Sequence, residues 1–388
     1  MVTVSVENSR RGWRPWLVDA IFGHPEQRHS HLDALDGLRG LALIITICSH
    51  LGNGGFMTPA LKGSGKPGLF LFFVLSAFLL GDALLHRGLG GLMNVRIWGN
   101  FAWRRSLRIW PLYLFLLGLS WALTMAGVTS WHYQVDTGTF WRHVALMEGQ
   151  SVFWSIPVEF KFYFWLPLVV IMLAWMLPRR WPLWAEVAVF VVVLGSLYVA
   201  WPQQAAPTNS IQLRWYVNIF LLGAIAAYVK HRYGELLAAA PRLWAAAGIL
   251  GLLGWLLTIP SVWAAVTGRP FQIDVNHRWF TYFGVCWALV LLAVLYGPRW
   301  FSAPFAWKPM RYLGVISFSA YLWHMPVLEY LRAAGIIGGL GDLMIAITGI
   351  LAVATVSFLL IEYPCRGLYL APRAKLKPEL AGQAAEGP

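Results

Sequence analysis

Long apolar stretches alternate with short polar segments along the whole chain. Each stretch has about the length that an α-helix needs to cross roughly 30 Å of hydrocarbon. This pattern predicts an all-α integral membrane protein, a bundle of about ten transmembrane helices. The predicted spans are residues 40–57, 68–86, 107–127, 153–177, 184–201, 213–229, 243–261, 279–297, 312–331 and 341–361.

The distribution of positive charge predicts the orientation of this bundle. Of the 30 Lys and Arg residues, 22 fall on the side of the N-terminus, seven fall on the opposite side and Lys161 lies within a span. Segments rich in Lys and Arg remain in the cytoplasm, so we expect both termini to be cytoplasmic. Residues 1–38 contain no uninterrupted apolar core of signal-peptide length, which predicts that the first span is an uncleaved signal.

Composition narrows the class of protein further. The chain of 388 residues is 58% hydrophobic and only 12% charged, which excludes an ordinary soluble domain. Its net charge of +13 could indicate nucleic acid binding, but the basic residues fall at the ends of spans. We therefore expect a lipid bilayer as partner and no nucleic acid.

Three segments follow from these patterns. We predict a cytoplasmic N-terminal tail at 1–38, a transmembrane domain at 39–370 and a disordered cytoplasmic tail at 371–388.

Cysteine and histidine spacing gives no metal site. The three cysteines lack the short spacing of a metal knuckle or a disulfide framework, and the three N-terminal histidines lack a fourth ligand, so we interpret the latter as part of a solvated basic tail. These residues are Cys48, Cys286 and Cys365, and His24, His29 and His31.

The first candidate for chemistry is LDGLRGLALIITICSH, residues 35–50, in which a charged entry precedes an apolar helix. Arg39 and His50 are eleven residues apart, so on a helix they leave by nearly the same face with roughly 16 Å of rise between them. Asp36 can cap the helix, Arg39 can mark the membrane boundary, and His50 can be a polar fastener between helices. A histidine deep in a span is equally the usual general base, and function is the default hypothesis for it.

A second candidate is the arginine group in FAWRRSLRIWPLY, residues 101–113. Arg104 and Arg108 share a helical face, and Arg105 lies beside them. Together with Arg39 they predict a phosphate-binding mouth, although positive-inside topology alone explains one or two of them.

Proline interrupts four predicted spans, which indicates an interior cavity that satisfies the freed backbone carbonyls. Glu159 follows one of these prolines by two residues, so we expect it where the helix backbone is disturbed. It is either a catalytic or binding group on the acceptor side or a structural partner for an arginine. The four prolines are Pro111, Pro157, Pro167 and Pro326.

Two later segments also carry polar side chains. His324, in ISFSAYLWHMPV, is either a satisfied buried histidine or a site residue. Glu362 and Arg366, in LLIEYPCR, stand four residues apart, which predicts an ion pair ahead of a proline stop.

In combination and in this order, these segments resemble the acyltransferase-3 family, bacterial membrane proteins that O-acylate glycans, Nod factors and macrolides. The resemblance covers nearly all of residues 33–370. It rests on LDGLRGLA (35–42), FFVLSAFLL (72–80), RRSLRIWPLY (104–113), the segment around Glu159, YLWH (321–324) and IEYP (361–364). Ala77 departs from the pattern, because the family usually has glycine there.

The resemblance implies an enzyme of the bacterial inner membrane with several spans. It would take an acyl group, most simply acetyl, from cytoplasmic acyl-CoA as co-substrate and place it on a hydroxyl of a glycan or glycosylated acceptor, with no bound cofactor or metal. The family's arginine-then-histidine pair falls on Arg39 and His50, and its second arginine pair falls on Arg105 and Arg108. Neither the acyl chain, the acceptor nor the oligomeric state follows from the sequence.

We therefore predict a set of site residues with roles. His50 acts as general base, with an acyl-histidine intermediate as the rival mechanism. Either Asp82 or Glu159 orients His50 if the fold brings it close. The other classes of function are a transporter or flippase of a glycan, and a noncatalytic scaffold. The set is His50, Arg39 and Glu159 as catalytic residues; Arg39, Arg104, Arg105 and Arg108 as acyl-CoA ligands; and Asp36, Ser76, Tyr163 and His324 as acceptor or supporting residues.

Overall fold

The computed structural model describes residues 30–270, 272, 277–365 and 368, and within these ranges the chain is helical with no strand. The predicted all-α class is therefore confirmed. The three N-terminal histidines and the predicted C-terminal tail lie outside the described residues.

Helices of 17 to 31 residues overlap every one of the predicted apolar stretches. Within the described ranges we number these long helices in chain order. They are α1 (Ser30–Gly54), α2 (Lys66–Leu85), α3 (Val95–Met125), α4 (Ser155–Met176), α5 (Leu183–Ala200), α6 (Val217–Ala238), α7 (Pro241–Leu257), α8 (Phe280–Tyr296), α9 (Ser317–Ala333) and α10 (Leu340–Ser357).

Short helices connect or extend the long ones. The short α-helices are Gly88–Leu92, Thr137–Val144, Pro260–Thr267, Arg299–Ala306, Lys308–Val315 and Tyr363–Cys365. The 3₁₀ turns are Pro59–Leu61, Ser151–Trp154, Leu177–Arg179, Gln203–Ala205 and Leu213–Trp215, and a π-helical turn, Phe358–Glu362, follows α10.

By length and composition, six helical segments in the described chain are suited to cross a membrane. The number rises to eight if each of two bent helix pairs counts as one span. The protein is thus a helical membrane protein with several spans, while the ten spans and the cytoplasmic termini stay predictions.

Two helix starts differ from the sequence-based expectation. The first helix begins at Ser30, so residues 30–38, the end of the predicted tail, are helical and continuous with α1. The third begins at Val95, well before the predicted span at 107, because the Asn94 side chain caps it by accepting from the Arg96 N–H at 3.0 Å. The basic residues of this segment therefore stand on a continuous helix.

Pro157 does not break a helix as expected. It is the third residue of α4, where a backbone N–H has no partner within the helix and a proline costs little. Pro111, Pro167 and Pro326 do lie inside helices, as predicted.

The N-terminal half of α1 is held by the two short helices that precede α9. A Cβ at Gly37 would lie 1.7 Å from the Phe305 carbonyl oxygen, and one at Gly314 would lie 1.8 Å from that of Asp36. Arg311, which is 6% exposed, pairs with Asp33 at 2.6 Å. Glycine in LDGLRG is therefore required by backbone-to-backbone packing.

The second helix packs most closely against α6 and forms the centre of the bundle. Gly223 allows this approach, since a Cβ there would lie 2.3 Å from the Val74 carbonyl oxygen and 3.0 Å from the Ala77 Cβ. Phe73 and Phe220 stack beside this contact with centroids 4.6 Å apart. Ala77, the departure from the family pattern, is accommodated by glycine on the partner helix.

Acid is expected to destabilise the fold through two buried histidines in the connecting segments. Burial lowers the pKa of His143 to about 4 and that of His277 to about 3. An unfolded histidine has a pKa near 6.5, so below that pH the unfolded chain binds more protons than the folded chain and stability falls. Between pH 6.5 and 4 we expect a loss of the order of 2 kcal/mol for each.

Thermal unfolding of the detergent-solubilised protein across this pH range checks the expectation. His143→Gln, which cannot titrate, should flatten the decrease in Tm. Equal pH slopes in wild type and His143→Gln would contradict the assignment.

Candidate active site

Most of the predicted donor-side residues line one cavity, which we call the arginine cavity. It has a volume of about 840 Å³, counting the open space at its mouth, and lies among α1, α2, α3, α4 and α9. Its polar lining comprises Arg39, Arg105, Arg108, Ser76, Glu159, Tyr163, Ser155, Ser317 and Tyr321. Helices far apart in sequence therefore bring three arginines and one carboxylate around one space.

The three arginines of this cavity differ in how they are neutralised. Arg39 donates to Asp36 at 2.9 Å, and Arg108 donates to Glu362 at 2.7 Å. The Nε of Arg105 is buried and has no hydrogen-bond acceptor among the described residues. A buried guanidinium N–H without an acceptor is costly, so Arg105 marks the place where an anionic ligand would be most favourable.

Glu159 is bound by the two residues that were predicted to support the site. Ser76 donates to a Glu159 carboxylate oxygen at 2.7 Å, and the Tyr163 hydroxyl donates to the same oxygen. The carboxylate thus faces the arginine cavity, together with the arginines, and not the space around His50.

Arg104 does not line the arginine cavity. It is exposed and lines an adjacent cavity of about 630 Å³ with Arg87 and Asn100, which Arg105 also borders. The expectation that Arg104 shares one mouth with Arg39, Arg105 and Arg108 is therefore met only through this neighbouring space.

His50 lines a second cavity, the histidine cavity, of about 860 Å³ counting its open mouth. Asn53 lies one helical turn further along α1, and its Oδ1 accepts from the Gly63 N–H at 3.1 Å, which leaves the amide NH₂ as a donor. The rest of its polar lining comprises Thr46, Ser49, Lys66, Ser151, Thr208, Asn209, His277 and Tyr321.

The nearest ionisable neighbour of His50 is His324. Their ring centroids are 4.9 Å apart, and His324 is fully buried. The His324 Nδ1 lies 3.2 Å from the Ala320 carbonyl oxygen, and because a carbonyl only accepts, Nδ1 carries the proton. Its Nε2 is left as an acceptor and has no donor among the described residues.

Neither predicted carboxylate orients His50. Asp82 accepts from Lys230 at 2.7 and 2.8 Å and lies 2.9 Å from the His231 Nε2. Glu159 is held at the arginine cavity. His324 replaces both as the group beside the His50 ring.

The two cavities meet at a common wall. Leu69 and Tyr321 line both of them. The Tyr321 hydroxyl donates to the Val152 carbonyl oxygen at 2.7 Å and lies 3.1 Å from the Ser155 Oγ. Arg39 and His50, on nearly one face of α1, therefore open into two adjoining spaces with this wall between them.

One group of possible metal ligands occurs in the part of the chain that the structure describes. Asp82, His86 and His231 have ligand atoms within 4.8 Å of one another. Both Asp82 oxygens already accept from Lys230, so the cluster is an ion-pair network that joins α2 to α6.

Sequence reasoning missed several residues of these cavities. Tyr321 lies within the YLWH segment but carried no signal of its own. Arg366, the expected partner of Glu362, lies outside the described residues; within them, Glu362 accepts from Arg108 and Ser319, which the sequence did not indicate. Such partners are separated by tens to hundreds of residues, and no local spacing indicates them.

Known proteins that resemble this chain include ones that are acyltransferases or transacylases by name. The sequence profile of an acyltransferase domain matches residues 32–362. BcsY of Komagataeibacter xylinus, which carries the name of a membrane-bound transacylase, is 28% identical over 90% of this chain and 86% of its own length. Nodulation protein 10 of Rhizobium leguminosarum bv. viciae is 25% identical over 89% of this chain and 96% of its own.

A further relative is longer than this chain. O-acetyltransferase OatA of Staphylococcus aureus (strain NCTC 8325 / PS 47) is 24% identical over 87% of this chain but only 57% of its own length. No solved structure matches the fold significantly.

Proposed function

The chain belongs to the acyltransferase domain family, and we propose that it transfers an acyl group from cytoplasmic acyl-CoA to a hydroxyl of a glycan or glycosylated metabolite. Acetyl is the simplest donor group, given a relative named as an O-acetyltransferase. The observation that carries the proposal is Arg105, whose buried Nε has no acceptor among the described residues, in a cavity that adjoins the cavity of His50.

The arginine cavity is our proposed site for the phosphates of coenzyme A. Phosphate oxygens would accept from Arg105 first, since Arg39 and Arg108 already donate to Asp36 and Glu362. The Glu159 carboxylate lines the same cavity and would orient the donor by repelling its phosphates. An extended pantetheine arm is comparable to the roughly 16 Å of helical rise between Arg39 and His50, so the thioester would lie near the wall at Tyr321.

His50 is the proposed general base. It would remove the proton of the acceptor hydroxyl as that oxygen attacks the acyl carbonyl carbon and the bond to the coenzyme A sulfur breaks. His324, with a free Nε2 acceptor and its ring beside that of His50, would accept one N–H of His50 and hold the other nitrogen as a base. The amide NH₂ of Asn53 would bind the acyl carbonyl or an acceptor hydroxyl.

Acyl-CoA turnover by the purified protein in lipid nanodiscs tests this function directly. Radiolabelled acetyl-CoA with a soluble chito-oligosaccharide acceptor should give a labelled sugar ester. Deletion of the gene, followed by mass spectrometry of surface glycans and secreted metabolites, identifies the natural ester. If Arg39→Ala and His50→Ala left turnover intact while glycan flux across the membrane depended on the protein, the flippase alternative would replace this proposal.

Arg105→Ala is expected to weaken coenzyme A binding far more than Arg104→Ala. A charge-assisted hydrogen bond to phosphate contributes about 1.5–3 kcal/mol, so the Kd for coenzyme A should rise about 10- to 100-fold. Arg104 is exposed and outside the arginine cavity, so its removal should change the Kd by less than about threefold.

Isothermal titration of coenzyme A into each variant measures the difference. Arg104→Ala is the matched control, because it removes the same charge one residue away on the same helix. Equal losses in the two variants would show that long-range charge, and not a direct contact, dominates binding.

A further inference from the structure

A serine and a histidine form a hydrogen-bonded pair at the edge of the histidine cavity. His132 lies in the segment between α3 and α4, and its Nε2 is 2.8 Å from the Oγ of Ser151. Ser151 lines the same cavity as His50. A nucleophilic side chain and a base within hydrogen-bond reach are the starting arrangement for covalent acyl transfer.

The backbone at Ser151 is unusual for a residue with a side chain. Its φ is +51°, in the left-handed region, where it is the first residue of a 3₁₀ turn leading into α4. Glycine would adopt this conformation without strain, so the serine side chain is kept here at a conformational cost. Nucleophilic serines of other acyl-transferring enzymes also stand on sharp, strained turns, which present Oγ to the substrate.

His132 is suited to be the base of this pair. Burial lowers its pKa below the usual value; of its charged neighbours, the Glu329 carboxylate raises that pKa and the Arg332 guanidinium lowers it. The ring is therefore neutral near pH 7, with Nε2 able to accept the Ser151 proton when Nδ1 carries the ring proton.

We propose that Ser151, activated by His132, accepts the acyl group as an ester before it reaches the acceptor. This inference rests on the proposed acyltransferase function and divides it into two transfers. Ser151 would hold the acyl group within the histidine cavity, on the far side of the wall from the arginine cavity.

In the first transfer the Ser151 Oγ attacks the thioester carbonyl carbon. The Oγ–C bond forms, the C–S bond breaks, and the serine proton passes through His132 to the leaving thiolate, so free coenzyme A departs. In the second transfer the acceptor hydroxyl oxygen attacks the ester carbonyl carbon and the C–Oγ bond breaks. The proton that His50 removes from the acceptor then returns to the Ser151 Oγ, and no other reactant is needed.

This order of events has a kinetic consequence. Donor and acceptor need not occupy the protein together, because the acyl group remains covalently bound to Ser151 after coenzyme A has left. We therefore expect ping-pong kinetics, and an acyl-enzyme that accumulates when acceptor is withheld.

The experiment is acyl-enzyme trapping with the full chain in nanodiscs. Radiolabelled acetyl-CoA without acceptor should label wild-type protein, and peptide mass spectrometry should place the acetyl ester on Ser151. Ser151→Gly, which relieves the backbone strain and removes the whole hydroxymethyl group with its nucleophilic oxygen, should lose the label and at least 100-fold of the turnover. Ser261→Ala, an exposed serine outside both cavities, is the control that should behave as wild type.

A second measurement does not depend on turnover. A biotinylated fluorophosphonate should label Ser151, and His132→Gln should slow that labelling at least tenfold, whereas a merely structural hydrogen bond would give no labelling in either protein. If Ser151→Gly kept full turnover while His50→Ala had none, the Ser151 ester would be excluded as an intermediate. The proposed acyltransferase function would then stand. An acetyl group trapped on His50 would exclude the Ser151 ester as well, and wild-type protein without turnover would instead remove the proposed function.

Discussion

His50→Ala is expected to lower kcat for acyl transfer by about 10²- to 10⁴-fold, the usual contribution of a positioned general base. The imidazole lines the histidine cavity, and its ring centroid lies 4.9 Å from that of His324, closer than the Tyr321 ring at 5.9 Å. Water that enters the space left by the ring cannot reproduce a base held in one orientation by a neighbouring acceptor. The measurement is steady-state transfer of radiolabelled acetyl from acetyl-CoA to a soluble glycan by the purified variant.

Donor binding separates a chemical defect from a structural one. The Kd for coenzyme A should stay within about twofold of wild type, since the arginine cavity lies across the wall at Leu69 and Tyr321. The His86→Ala variant loses an exposed histidine that lines neither cavity, and should keep full activity. A His50→Ala protein that binds coenzyme A normally and still transfers at more than a tenth of the wild-type rate would exclude His50 as the base.

His324→Gln is also expected to lower kcat for acyl transfer, but by less than His50→Ala. Glutamine keeps an acceptor and similar volume but cannot reproduce the tautomer that the Ala320 carbonyl imposes on His324. If the imidazole serves only to fill a buried space, the variant should alter thermal stability and leave kcat unchanged.

The helical class and the extents of most helices follow from the sequence because both depend on local patterns. Long apolar stretches must satisfy their backbone groups internally, and only a helix does so within one segment. The early start of α3 was missed because Arg96 and Asn100 interrupt the apolar pattern of its first turns, yet Asn94 caps them. The prediction that Pro157 interrupts a helix was wrong because the effect of proline depends on its position in the helix, which the sequence alone does not give.

The eleven-residue spacing of Arg39 and His50 is a local property as well, and both residues do open into the central spaces of the bundle. Contacts between helices, by contrast, do not follow from local spacing in the sequence. The partners of Arg108, Glu159 and His50 lie on other helices, and they depend on packing at glycines such as Gly37 that bring backbones within contact. No spacing rule indicates that Ser151 meets His132 or that Tyr321 divides two cavities.

Glu362→Ala is expected to destabilise the protein by about 2–4 kcal/mol, the second large effect. The carboxylate is 2% exposed and accepts from the Arg108 guanidinium at 2.7 Å and from the Ser319 hydroxyl. Its removal leaves a partly buried positive charge and a buried hydroxyl without an acceptor. The lower part of this range applies if water in the arginine cavity solvates Arg108, whose side chain is 26% exposed. Thermal or denaturant unfolding of the detergent-solubilised variant measures the loss.

A double-mutant cycle separates the ion pair from its surroundings. Arg108→Met alone should also destabilise the protein, because it strands the Glu362 carboxylate in an apolar environment. The double variant with Glu362→Met should be more stable than the sum of the single changes predicts, with a coupling of about 1–3 kcal/mol. Additive effects would mean that the two side chains contribute independently.

Glu362→Gln separates stability from donor binding. Glutamine retains an acceptor for Ser319 and Arg108 and removes the negative charge, so the loss of stability should be smaller than in Glu362→Ala. Arg108 would then be as little neutralised as Arg105, and coenzyme A should bind more tightly than it does to wild type. Weaker coenzyme A binding in a folded Glu362→Gln protein would instead show that Arg108 needs the carboxylate to hold its position, and its role would then be to support the arginine cavity and not to bind phosphate.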